Sequence, residues 1–269
     1  MNVLAAAVAG RGLVAPHEPV FAADDEALLR GRAVFETARV YDGRPFMLGS
    51  HIERLQASAA RVRLAEPDAQ GCASLAALVV AAAGEPELAL RLYWTGMTLV
   101  ATAGAIAPEL ERIRGRGMRL AVVSWSTGTL AAAKSTSYAE NMAAQDLAAD
   151  RGADDALLVA HDGTVLEAPT ANVWWRVGSV LRTPSLDLPV LAGVTRAVVL
   201  DLAPTVGYAL EQGAYPLAHL VDADEVFLTS SIREVMPVAS VDGTHVGTGP
   251  AAYALQDALR TLARLPSSS

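Results

Sequence analysis

A lysine and a glutamate carry the first chemical signal in this 269-residue chain. Lys134 follows three alanines and heads a segment in which Ala139, Met142, Ala143 and Leu147 fall at helical spacing. A lysine beside small apolar residues loses its proton easily and can form a Schiff base with a carbonyl. Glu167 follows the turn signal His161-Asp162-Gly163 and two apolar neighbours, Val165 and Leu166, which predicts a short, partly buried strand. A carboxylate in a dry site needs a cation against it, and a protonated aromatic nitrogen meets that need. Taken singly, each residue is equally an ordinary surface side chain, and their separation in sequence establishes no site.

A lysine for an aldehyde and an acid for a ring nitrogen are what a protein supplies to pyridoxal 5'-phosphate. The surrounding text strengthens that expectation. The runs K-S-T-S-Y-A-E-N-M, R-G-A-D-D-A-L-L-V, D-G-T-V-L-E-A-P-T-A-N-V-W-W and L-A-G-V-T-R occur in this order. With F-E-T-A-R-V-Y-D-G-R-P-F-M-L-G-S-H-I-E-R-L nearer the start, the chain from about residue 20 to 260 resembles the fold-type IV pyridoxal-phosphate enzymes, or class IV aminotransferases. That family includes branched-chain aminotransferases, D-amino-acid transaminases, R-selective amine transaminases and aminodeoxychorismate lyase. The resemblance implies an α/β (α+β) fold of two domains with the cofactor at the domain interface, and a homodimer. It also implies that Lys134 is the catalytic lysine and that Glu167 faces the ring nitrogen.

A phosphate dianion binds well at a helix N-terminus, where free N–H groups point outward and the dipole is positive. Gly193, Val194 and Thr195 offer such an end, although a plain helix start reads the same way. By resemblance the phosphate cradle comprises Leu191, Val194, Thr195, Ser230 and Ser231, joined by Arg54 of the H-I-E-R-L motif. The spacing gives neither G-x-G-x-x-G after a strand nor a P-loop.

Substrate recognition is less fixed. Relatives often carry a T-R-G arginine that binds a substrate carboxylate, and this chain runs Tyr93-Trp94-Thr95-Gly96-Met97 instead. Arg91 stands inside an apolar strand, Leu90-Arg91-Leu92, and must find a partner or reach solvent. Arg32, in Gly31-Arg32-Ala33-Val34-Phe35-Glu36, stands where many relatives have an acid. The expectation is that Arg32 and Arg91 together replace the missing arginine, with Phe35 beside the substrate; surface or interface ion pairs are the alternative for both. Tyr138, four residues after Lys134, shares its face if a helix has begun. The leading function is transamination between an amino acid, preferentially a D-amino acid, and a 2-oxo acid. Aminodeoxychorismate lyase, giving 4-aminobenzoate and pyruvate, is the alternative, and a cofactor-binding protein without turnover is a third class.

The elements that must position these residues are legible at low resolution. The chain is 52% hydrophobic with a net charge of −8. Its longest uncharged apolar run, residues 72–83, suits a buried helix and is too short for a bilayer. No basic residue precedes the apolar start, which argues against a signal peptide and for the cytoplasm. One cysteine, Cys72, excludes an internal disulfide, and five scattered histidines give no metal-ligand pair. No basic run points to nucleic acid; residues 112–116 read as a short, solvated basic turn. Residues 1–105 form an N-terminal α/β domain, 106–110 a linker, and 111–269 a C-terminal cofactor-binding domain carrying the lysine. Strands are expected over 34–41, 88–94, 98–103, 118–123 and 226–229, and helices from residues 48, 74, 134, 192 and 251. Only the serine tail is of low complexity.

Overall fold

The computed structural model describes residues 2–126 and 128–265, so the serine tail lies outside the described residues. The chain divides into two units with separate cores. The first comprises Met1–Ala107 and Ala132–Tyr138, the second Pro108–Ala131 and Ala139–Ser269. The division at Ala107 falls inside the expected linker. The segment that carries Lys134, expected in the C-terminal domain, packs with the first unit instead.

In the first unit, strands β1 (Val3–Val8), β2 (Gly12–Val14), β3 (Val34–Tyr41), β4 (Arg44–Pro45), β5 (Leu88–Trp94) and β6 (Leu99–Gly104) form one sheet. Its order is β2-β1-β6-β5-β3-β4, and every pairing is antiparallel. The turn after β3 is Asp42-Gly43, both at positive φ, as a two-residue hairpin turn requires. Helix α1 (Glu26–Arg30) is capped by Asp25 and ends at Gly31 in the left-handed conformation. Helices α2 (Leu48–Arg61) and α3 (Ala69–Ala83) cover one sheet face. They contribute Ile52, Leu55, Ala59, Cys72, Ala76 and Val79 against Val34, Ala38, Val40, Leu88, Leu90 and Leu92. The period-two alternation of β3 therefore sends Val34, Glu36, Ala38 and Val40 to the helix side and Phe35, Thr37 and Arg39 to the other.

The second unit begins with α4 (Glu109–Arg116), where a solvated basic turn was expected; Arg114 within it is only 5% exposed. Strands β7 (Met118–Trp125), β8 (Asp155–Ala160), β9 (Asn172–Val177), β10 (Val180–Pro184), β11 (Ala209–Gly213), β12 (Glu225–Ser230) and β13 (Glu234–Val241) form a mixed sheet. The order is β11-β10-β9-β12-β13-β7-β8, with β14 (Thr244–His245) paired to β13. Helices α5 (Ala139–Asp150), α6 (Val194–Leu202), α7 (Ala218–Val221) and α8 (Pro250–Arg264) complete it. The strands are apolar on both sides, feeding one core through Leu157, Val173, Trp175, Leu228 and Met236 and another through Ala121, Ala156, Leu158 and Leu166.

Helix α5 starts at Ala139, after Lys134 rather than at it. Its buried residues are Ala144 and Ala148, while Met142 and Leu147 are exposed, so the expected face is turned. The small alanines at i and i+4 are what lie against β7 and β8.

Candidate functional site

Residues 134–136 are held on the first unit as an extra extended edge beside the start of β3. Ser135 bridges Val34 in antiparallel register, Phe35 N donates to Lys134 O (3.0 Å), and Thr136 N donates to Ala33 O (2.8 Å). Lys134 N donates to Ser58 Oγ of α2 (3.1 Å), and Thr136 Oγ1 donates to Gly31 O (2.9 Å). Gly31 is required twice over: φ is +64°, and a Cβ would lie 2.7 Å from Ser137 Oγ. These bonds set the lysine backbone, and its Nζ lies 4.5 Å from the centre of the Phe35 ring. Phe35 also meets Tyr138 edge-on at 5.5 Å and stacks with Tyr93 at 6.2 Å. Tyr138 therefore reaches the lysine's surroundings through Phe35, not along a shared helix face.

Behind Phe35, on the helix side of β3, Glu36 is 1% exposed. Arg54 grips it with Nε to Oε1 at 2.7 Å and Nη2 to Oε2 at 2.8 Å, and His51 Nδ1 lies 2.7 Å from Oε2. Burial alone raises the Glu36 pKa, but the hydrogen bonds and charges of Arg54 and His51 outweigh it and hold the value at about 2. His51 is pulled below its ordinary value by burial, against the Glu36 contact, and by the charges of Arg54 and Lys134. Facing an ionised Glu36, Nδ1–H is the donor of this bond. Arg54, expected at a phosphate, is thus oriented by a buried acid that the sequence reading did not single out.

Arg32 and Arg91 do not converge in this unit. Arg32 Nε and Nη2 donate to Val62 O and Arg63 O, each at 3.0 Å, and Nη1 pairs with Glu26 at 2.8 Å. It closes the carbonyl end of α2, where a cation is favoured. Arg91 sits on the same sheet face as Phe35, between Thr37 and Thr102 in register. Among the described residues, Arg91 Nε and Thr102 Oγ1 are buried without a hydrogen-bond partner; Arg91 Nη1 reaches Tyr93 Oη only at 3.5 Å.

The second unit holds the remaining residues. Glu167 lies in an irregular segment rather than a strand, running antiparallel to β8 through Leu158 N to Glu167 O (2.8 Å) and Leu166 N to Leu158 O (3.0 Å). Its carboxylate accepts from Asn172 Nδ2 at 3.0 Å and from Leu191 N at 3.1 and 3.2 Å. Asn172 Nδ2 also donates to Leu191 O (2.9 Å). A Cβ at Gly193 would fall 2.0 Å from Asn172 Oδ1, so only glycine lets this amide brace the acid.

Gly193 caps α6 with no side-chain hydrogen bond, and Val194 and Thr195 are buried in the first turn. Register Thr229↔Asn172 brings the end of β12, and so Ser230, to the same sheet end as Glu167 and α6. Ser230 Oγ accepts from Arg233 N at 3.3 Å across the turn that carries Ser231. Arg196, the last residue of G-V-T-R, is buried and donates Nη2 to Gln212 Oε1 (2.6 Å) and Pro184 O (3.0 Å); burial lowers its pKa, with Glu167 opposing.

Against known proteins, the model of amino-transferase class IV matches residues 33–241. The chain is 31% identical to a bifunctional aminodeoxychorismate lyase / D-amino acid transaminase of Mycobacterium tuberculosis, over 89% of this chain and 92% of that one. It is 29% identical to the aminodeoxychorismate lyase of Bacillus subtilis, over 86% of each. Among solved structures, a hypothetical aminotransferase from Mycobacterium tuberculosis in its alpha-ketoglutarate and PMP bound form superposes with a TM-score of 0.89. The identity is 29%, covering 96% of this chain and 98% of that one.

Proposed function

The chain belongs to the class IV aminotransferases, and from that premise we propose that it is a pyridoxal-phosphate-dependent transaminase acting between an amino acid, D-configured by preference, and a 2-oxo acid. The residues fit such a cofactor. An amine lies on an aromatic face, an acid is braced by Asn172 and Leu191, and an N-terminal helix turn starts at a glycine. Bound pyridoxal phosphate supplies an aldehyde for amines and a ring that takes up carbanion charge.

The protein's own residues do the rest. Lys134 Nζ would hold the aldehyde and would serve as the base that moves a proton at the substrate carbon. Glu167, its orientation fixed by Asn172, would face the ring nitrogen. Thr195, Val194, Leu191, Ser230 and Ser231 would hold the phosphate, and Arg54 is assigned to it by the family resemblance alone. Phe35 and Arg91 are assigned to the substrate, and the observation that carries amino-acid recognition is the buried Nε of half-buried Arg91 beside Thr102: it has no hydrogen-bond partner, Nη1 reaches Tyr93 Oη only at 3.5 Å, and a carboxylate would complete the fork. Arg32 is a weaker candidate, since α2 and Glu26 already hold it.

The enzyme is read as a cytoplasmic homodimer with small-molecule substrates and no nucleic-acid or membrane partner. No helix among the described residues is long and apolar enough to cross a membrane. Aminodeoxychorismate lyase is the second reading, favoured by the lyase relative.

Half-reactions separate the two. D-alanine or D-glutamate converts the absorbance of the pyridoxal form to that of the pyridoxamine form, and Arg91→Leu raises the amino-acid KM at least ~10-fold with cofactor retained. Pyruvate from aminodeoxychorismate with no conversion by any amino acid establishes the lyase. An unchanged KM in Arg91→Leu removes Arg91 from the substrate site.

A further inference from the structure

Three-residue hairpin loops usually close with a residue in the left-handed region, and glycine is the residue that suits it. The loop between β12 and β13 spans residues 231–233, with Ser230 paired to Glu234 in register. Here the left-handed residue is the first one after the loop, and it is a glutamate, Glu234, at φ +57°. A long side chain there costs conformational energy that its contacts must offset.

The contacts are extensive. Glu234 is 1% exposed, and its Oε2 accepts from Gln256 Nε2 at 2.7 Å, Arg260 Nη2 at 2.7 Å and Arg114 Nη2 at 3.1 Å. Gln256 Oε1 then takes Val235 N at 2.8 Å, and Arg114 also donates to Val235 O. Arg260 and Arg114 both reach Glu111, at 2.5 and 3.3 Å. Helices α4 and α8 are thereby fastened to the first residues of β13. On the other flank, Arg233 Nη1 meets Asp155 Oδ2 at 2.5 Å; Asp155 is fully buried at the start of β8 and also accepts from Gln145 Nε2 of α5 at 3.1 Å.

We propose that Glu234 and Arg233 are positioning residues for the phosphate of the cofactor. They fasten both flanks of the turn that presents Ser230 and Ser231, so that its donors are fixed before the phosphate arrives. The inference rests on the reading of Ser230 and Ser231 as phosphate ligands. Fixed donors bind an anion better than mobile ones because no ordering entropy is lost on binding. The effect is confined to the part of the affinity that the phosphate supplies.

The test compares affinities of the full-length protein, freed of cofactor, for pyridoxal 5'-phosphate and for pyridoxal, which lacks the phosphate. In wild type the phosphate ester binds far more tightly. Glu234→Gly relieves the backbone and removes the carboxylate; Arg233→Met cuts the other flank at a half-buried position and serves if the first variant does not fold. Each is expected to lower the ratio of the two affinities at least ~10-fold, with pyridoxal binding within about twofold of wild type. An unchanged ratio in a folded variant, or an equal loss for both ligands, overturns the proposal. The double variant Ser230→Ala/Ser231→Ala separates the two failures. If it leaves the ratio unchanged, the assignment of the serines is wrong. If it lowers the ratio while Glu234→Gly and Arg233→Met do not, the serines stand and the positioning role falls.

Discussion

Glu36 and Glu234 are each 1% exposed, each lies in a different unit, and each is held by arginine. They are built differently. Glu36 stands on a regular strand and meets residues of the next helix, His51 and Arg54, only 15 and 18 positions on. Glu234 stands at a left-handed position and gathers Arg114 from 120 positions away together with Gln256 and Arg260. The first is a local pair that orients one guanidinium. The second is a network in which two cations balance Glu234 and Glu111 and tie two helices to a turn. A buried charge of the first kind serves the side chain it grips, whereas one of the second kind serves the backbone around it.

If that distinction is right, the network side is the more expensive to break. Arg114→Leu leaves Val235 O short of its donor and Glu234 short of one of its cations, and removing one partner from a buried pair costs roughly 3–5 kcal/mol. Urea unfolding should show a lower midpoint with an unchanged slope. A loss below about 1 kcal/mol would mean that Gln256 and Arg260 carry the turn unaided.

Glu36 should give a smaller loss with a defined pH signature. Its pKa falls from an ordinary 4.5 to about 2, which corresponds to roughly 3 kcal/mol. The folded value is the lower one, so this stability is fully present above pH 4.5 and is lost as pH falls towards 2. His51 is also depressed, so its contribution is present above its ordinary 6.5 and declines below it. Glu36→Gln should therefore lose stability at pH 7 and flatten the profile between about pH 4.5 and 2. A variant that keeps the wild-type profile in that window places the titration on another carboxylate.

How much of this was legible in the sequence follows from the range of each interaction. The α2 face of Ile52, Leu55 and Ala59, the Asp42-Gly43 turn and strands β3, β5, β6, β7 and β12 follow from periodicity and turn chemistry. Gly193 and Thr195 at the start of α6 were also readable. The helix face of α5 was not, because an alanine-rich segment has little periodic contrast and packing selects Ala144 and Ala148. The unit to which Lys134 belongs depends on backbone pairing with Val34 and Phe35, about which side-chain types say nothing. Arg114 read as surface since the partners that bury it, Glu234 and Val235, lie more than a hundred residues on. Arg32 was recognised as unusual, but its role at the end of α2 needs the position of Val62 and Arg63.

The smallest expected effect probes the opposite case, polar groups that are buried but not held. Glu36 and Glu234 have their hydrogen bonds made, whereas among the described residues Thr102 Oγ1 and Arg91 Nε do not. Deleting a satisfied group leaves its partner stranded; deleting an unsatisfied one removes a desolvation cost and is neutral or mildly stabilising, by up to about 1 kcal/mol. Thr102→Val keeps the shape of the side chain and should leave the unfolding midpoint unchanged or slightly raised. If the row Thr37, Arg91 and Thr102 meets a substrate anion, the same variant should raise the amino-acid KM a few-fold with kcat little altered, since the hydroxyl contributes to binding alone. Lower stability with an unchanged KM would show that the hydroxyl belongs to the fold. The contrast between held and unheld groups would then cease to mark where substrate binds.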